Sequence, residues 1–271
     1  MQLRAPITPS DVQSRDSAYL REKLVIEELF QINRVTYVLS HHDRILIGGA
    51  TLDNGSVSLE APEGLSAAYL LERRELGLVC LKGSIRVQVD GVEYTLSTED
   101  ILYIGRGSVS VGVSGSGDIY FTSSMCHADH PTTLVTKADS DSVVIGDKKN
   151  SSERTLRKYI HDQGVSSSSM AMGITTIHEG SVWNTMPCHV HERRTEVYLY
   201  FDLDTNEKVI HLFGQPDQSR NFVLSNKQAV ISPAWSIHTG AGTTNYKFVW
   251  STAGENITYS DFNLVETKNL Q

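Results

Sequence analysis

The chain has 271 residues, of which 39% are hydrophobic and 21% charged. This composition excludes disordered, collagenous and disulfide-dense classes, and the length suffices for one large domain or two modest ones. Asp and Glu (32) outnumber Lys and Arg (24), giving a formal charge of −8, which argues against a nucleic-acid partner but leaves room for a small anion held by one local arginine. The cysteines Cys80, Cys126 and Cys188 are far apart and odd in number, so no disulfide framework is expected. No stretch approaches the roughly 18 apolar residues of a membrane helix, and the opening MQLRAPITPSDVQSRD has no apolar signal-peptide run. A cytoplasmic chain without membrane contact is the expectation.

From the N-terminus, Thr8-Pro9-Ser10-Asp11 reads as a helix cap followed by proline at the first helical position, and residues 18–24 as a short second helix. Thereafter the signal is β. Val35 to Leu39, Ser84 to Val89 and Glu196 to Phe201 are rich in β-branched and aromatic residues, with turns at Asp53-Asn54-Gly55, Asp90-Gly91 and Gly105-Arg106-Gly107 between the earlier runs. Short strands at this spacing predict an all-β sandwich or barrel. His41 and His42 are adjacent, which gives them packing or hydrogen-bonding roles. Residues 131–170 are polar and read as a connector between an N-terminal unit (1–130) and a C-terminal unit (171–271).

The two units look like copies. Glu72-Arg73-Arg74-Glu75 precedes strands and then Asp100 to Gly105; about 120 residues later Glu192-Arg193-Arg194-Thr195-Glu196 precedes strands and then Ala229 to Pro233.

The chemistry concentrates in Cys188-His189-Val190-His191-Glu192-Arg193-Arg194-Thr195-Glu196. Residues two apart on a strand share a face, so His189 and His191 point the same way. A turn over 192–195 returns the Glu196 carboxylate towards them. Two imidazoles and a carboxylate suit Zn, Fe, Mn or Ni, and His238, after Pro233-Ala234-Trp235-Ser236-Ile237, is the best fourth ligand. The spacing is not HExxH, which excludes a helix-borne zinc protease. Tyr198 and Tyr200 share strand parity with Glu196 and can face the same cavity, whereas Cys188 alternates away. A substrate carboxylate needs a cation, for which Arg193, Arg194 and Arg220 are candidates. Trp183 and Trp235 are candidate walls.

These residues carry a resemblance. The HxH, the later Glu and the distant His are similar to the cupin metal site, though four residues separate His191 from Glu196, which is not the standard spacing, and the Gly usually expected after the Glu is missing. Trp183-Asn184-Thr185-Met186-Pro187-Cys188-His189, Glu192-Arg193-Arg194, Gly214-Gln215-Pro216, Gln228 to Pro233 and Trp235 to His238 resemble the 5-dehydro-4-deoxy-D-glucuronate isomerase (4-deoxy-L-threo-5-hexosulose-uronate ketol-isomerase) family, as do Asp43-Arg44-Ile45, Gly48-Gly49 and Leu71 to Gly77. The match covers nearly the whole chain. The resemblance implies a bicupin, two tandem jelly-roll barrels, with one Zn(2+) per chain on His189, His191, Glu196 and His238. Tyr69-Leu70-Leu71-Glu72 stands where the N-terminal copy would carry its HxH, so no metal is expected there. It further implies a homo-oligomer, often a hexamer, and conversion of the deoxy-keto-uronate to 3-deoxy-D-glycero-2,5-hexodiulosonate in pectin breakdown.

Such a reaction moves a carbonyl from C1 to C2, which needs a Lewis acid and a group to relocate protons. Glu196 and Tyr198 are the candidates for the latter; Arg193, Arg220 and Tyr200 are those for holding substrate. An isomerase of another sugar acid such as 5-deoxy-glucuronate, an iron cupin dioxygenase and a non-enzymatic sugar-binding cupin would share the fold.

Overall fold

The structure is a computed structural model that describes residues 1–255 and 258–271. The expected helices are present. Pro9–Ser14 starts after the Thr8 cap, with Asp11 reaching back to the Thr8 amide, and Ser17–Leu24 is capped by Asp16, whose side chain accepts from the Tyr19 amide. The remaining regular structure is almost all strand.

A nine-stranded sheet forms the N-terminal half, with Leu46–Ser58, Val111–Met125 and Arg74–Val89 as its long central strands. Its inward face packs Leu46, Leu76, Leu78, Ile85, Leu102 and Phe121 into one core. Gly48 permits that packing, because a Cβ there would lie 2.1 Å from the Phe121 ring. In the C-terminal half a seven-stranded sheet, centred on Ala171–Ile177, Lys247–Ala253 and Thr195–Phe201, faces a four-stranded sheet of Trp183–Asn184, Ile237–Gly242, Val209–Gln215 and Gln218–Leu224. Among the described residues each ladder remains open and none closes into a barrel.

The 1–130, 131–170 and 171–271 division does not match the sheets. Thr133–Val135 joins the nine-stranded sheet, while Asp141–Ile145 and Arg154–Ile160 extend the seven-stranded one. The first of those two strands is mostly exposed, and an edge strand with so much solvent contact carries the polar composition of a connector. Near the N-terminus, Val25–Ile26 pairs with Ala229–Ser232, so the helical segment belongs to the C-terminal half.

The halves share a core in which Val79, Ile101, Tyr103 and Tyr120 pack with Tyr159, Ile160 and Met172. Polar ties cross the same boundary. The buried Glu75 carboxylate accepts from the Tyr103 and Ser124 hydroxyls and from the Ser168 and Ser169 amides. Glu99, 2% exposed, pairs with Lys137 and Lys247, each at 2.8 Å. Burial alone would raise its pKa, but the two ammonium groups outweigh it and hold the carboxyl below its ordinary 4.5. Glu99→Gln should therefore lower the unfolding free energy at neutral pH by about 1–2 kcal/mol, with solvent around the lysines moderating the loss. Because the folded-state pKa is depressed, this contribution is present above the ordinary value and disappears as pH falls through the lowered one. Urea unfolding of both proteins across that range should show their midpoints converging in acid.

Candidate metal centre

The short strand His189–Val190, the turn after it and the strand Thr195–Phe201 bring both histidines and Glu196 to one point, and Ile237–Gly242 delivers His238. His189 Nε2 lies 3.2 Å from His191 Nε2 and 3.0 Å from His238 Nε2. Glu196 Oε2 lies 2.8 Å from His191 Nε2 and 3.2 Å from His238 Nε2. One donor atom from each of the four residues falls within 4.8 Å of all the others.

The donor chemistry fits a divalent transition metal. Three Nε2 atoms converge on one carboxylate oxygen. The His191 Nδ1 lies 3.1 Å from the Asp261 carbonyl oxygen and 3.3 Å from Arg194 Nε, contacts that fix the ring with its Nε2 turned to the other donors. Burial, followed by the charge of His238, pulls the His189 pKa down to about 2, keeping the ring neutral. Burial alone would raise the Glu196 pKa, yet His238 and His191 hold it well below its ordinary value.

A C-terminal segment closes over these residues. Asn263–Leu264 pairs with His189–Val190, and the Phe262 ring stacks on His189 with centroids 4.7 Å apart. Arg194, 2% exposed, anchors the segment by donating to the carbonyl oxygens of Thr258, Tyr259 and Asp261. From the N-terminal half, Asp43 accepts a 2.7 Å hydrogen bond from the Thr195 amide, next to Glu196. Asp43 and its neighbour Arg44 both adopt left-handed backbone, with φ of 49° and 53°.

Beside the four side chains lies a cavity of about 300 Å³ lined by Arg154, Thr185, Tyr198, Trp250, Tyr259 and Phe262, among others. Tyr198 enters it as strand parity predicted, with its hydroxyl 3.0 Å from that of Thr185. Burial, reinforced by the Glu196 charge, pushes its pKa well up, so it remains a phenol.

Three substrate-binding expectations do not reach the cavity. Tyr200 has the right parity but lies deeper, with its hydroxyl 2.7 Å from His211 Nδ1 in the core. Arg193 is turned outward and paired with Glu255 at 3.2 Å and Asp261 at 2.7 Å. Arg220 sits on the outer hairpin and donates to the Val12 carbonyl oxygen, pinning the first helix. Trp183 and Trp235 are absent from the lining, whereas Trp250 is present. Cys188 is buried and also outside the lining, as alternation predicted. His42 accepts from the Ile7 amide, the hydrogen-bonding role expected of it.

The residue that sequence reasoning missed is Arg154. It lies in the stretch read as a connector, donates from Nη1 to the Ser152 carbonyl oxygen and has no carboxylate partner among the described residues. Only the pairing of Arg154–Ile160 with Ala171–Ile177 carries it to the cavity.

The sequence matches the model of the KduI/IolB family over residues 25–268. It is 42% identical to the 4-deoxy-L-threo-5-hexosulose-uronate ketol-isomerase of Bacillus subtilis, the alignment covering both chains completely. Among solved structures it resembles an IolB-like protein from Salmonella typhimurium, with TM-score 0.72, 12% identity and coverage of 89% of this chain and 96% of the other. It also resembles the oxalate decarboxylase of Lactobacillus farciminis, with TM-score 0.61, 10% identity and coverage of 89% and 88%. At these identities the structural likenesses concern the fold, which is cupin-like and mostly β. Among the described residues no helix is long and apolar enough to cross a membrane.

Proposed function

The chain belongs to the KduI/IolB family, and from that membership we propose that it is a uronate ketol-isomerase converting 5-dehydro-4-deoxy-D-glucuronate to 3-deoxy-D-glycero-2,5-hexodiulosonate in pectin and uronate breakdown. The observation that carries this reading to the atoms is the convergence of His189, His191, Glu196 and His238 beside a cavity lined by the half-buried Arg154 and the phenol of Tyr198.

In this reading the four residues hold one divalent ion, zinc by the family resemblance. The ion supplies Lewis acidity to the carbonyl and hydroxyl oxygens where negative charge develops. The chain's own residues do the rest. Arg154 takes the substrate carboxylate with its planar fork, while Trp250, Tyr259 and Phe262 line the sugar's path and exclude water. The Tyr198 phenol, kept protonated by burial, donates to the sugar oxygen, and Thr185 orients it. Glu196 remains ionised and balances the charge of the centre, and its carboxylate is the base this reading assigns to moving the substrate proton.

We also read the two halves as a bicupin in which 171–271 carries the metal and the N-terminal half does not, working as a cytoplasmic homo-oligomer, a hexamer by the family resemblance. An NMR time course of 5-dehydro-4-deoxy-D-glucuronate with the purified protein tests the function. The 2,5-diketo acid should appear, and a chelator should stop it. No turnover by a metal-replete sample overturns the assignment and leaves the other sugar acids, such as 5-deoxy-glucuronate, and oxygen uptake for an iron cupin dioxygenase as the next assays.

A further inference from the structure

The sheet register relates the two halves residue by residue. Leu76 pairs with Ile104 and Ser123, as Glu196 pairs with Ser232 and Thr252. Leu76 thus takes the place of Glu196, Leu71 and Tyr69 those of His191 and His189, and Arg74 that of Arg194. The metal-ligating chemistry is gone from the N-terminal copy, but the buried arginine remains, at 6% exposure against 2% for Arg194.

Their surroundings differ. Arg194 is occupied by the carbonyl oxygens of Thr258, Tyr259 and Asp261. Arg74 donates only through Nη1, to the carbonyl oxygens of Arg44 and Ser123. Its Nε and Nη2 have no partner among the described residues, and the side chain lines a cavity of about 530 Å³. Arg44 and Arg73 line the same cavity, and no carboxylate does so among the described residues. The exposed Arg73 has a loose contact with Glu72 at 3.6 Å; Arg44 has no ion pair among the described residues. Burial, then the charge of Arg44, pulls the Arg74 pKa down to about 10, as befits a cation without a counterion. The other walls are mainly apolar, including Leu39, Leu70 and Met125.

We propose that this cavity is a second ligand site, which binds a small organic anion by its carboxylate. Arg74 presents two unused donors on the floor, Arg44 and Arg73 supply charge at the rim, and the apolar wall accepts a carbon skeleton, giving a site larger and less polar than a bare inorganic ion needs. The site shares no lining residue with the cavity at the metal centre, and its occupancy is measured without turnover.

Calorimetric titration with D-galacturonate tests it, using the His189→Ala/Arg154→Gln protein so that neither the metal centre nor the Arg154 contact contributes, with inorganic phosphate and sodium chloride as parallel titrants. One galacturonate per chain should bind, and Arg44→Gln/Arg73→Gln in the same background should weaken it by about tenfold or more. These two residues are exposed, so the variant tests charge without opening the core. Absence of saturable binding, or binding unchanged in the double variant, overturns the proposal. Equally tight binding of phosphate overturns the organic-anion assignment. A double variant that changes oligomeric state while its parent binds nothing assigns the arginines to a contact between copies and likewise overturns it.

Discussion

Alanine at His189 or His238 is expected to remove bound metal and isomerase turnover together, with activity falling by more than about 100-fold, since loss of a group merely supporting a metal ligand costs about 10–100-fold. Both rings present Nε2 to the others at 3.0–3.2 Å, so either substitution leaves three donors and a hole where the fourth stood. Burial keeps His238 from being replaced by a neighbouring side chain, since it is 1% exposed and walled by Tyr198 and His191. Metal analysis of the purified variants, read beside the NMR assay and a circular dichroism spectrum, checks the result. A folded, fully active variant without metal would falsify the metal role.

Arg154→Gln is expected to raise KM by about 10–100-fold while kcat changes less, because a charge-assisted, two-pronged contact to a carboxylate is worth about 1.5–3 kcal/mol. Arg193→Gln and Arg220→Gln should leave KM near the parent's. The contrast follows from what each guanidinium already touches. Asp261 and Glu255 engage Arg193 at the surface, Arg220 is committed to the first helix, and Arg154 lines the cavity with one carbonyl partner. Steady-state kinetics on the three single variants decides it. An unchanged KM in Arg154→Gln, or a larger rise in Arg193→Gln, removes Arg154 from the carboxylate contact.

What the sequence disclosed and what it hid divide along local and non-local lines. His189, His191 and Glu196 were legible because strand alternation and a short turn are local rules, and the same alternation placed Tyr198 in the cavity and Cys188 outside it. Tyr200 obeys that parity, but parity says nothing of depth, and the cavity ends above it. Arg154 and Trp250 were hidden because their arrival depends on which distant strands pair, and Tyr259 because it lies in a non-strand segment held by Arg194. The polar stretch holding Arg154 resembles a connector in composition because an edge strand shares solvent exposure with a loop.

The hydrogen bond from the Thr195 amide to Asp43 bears on how this chain can change over generations. The N-terminal half carries a strained loop whose carboxylate steadies the backbone next to Glu196. Selection on the centre therefore reaches residues in both halves of the chain. The N-terminal half cannot be shed by truncation, exchanged for an unrelated partner or left to drift without loosening the backbone that carries Glu196.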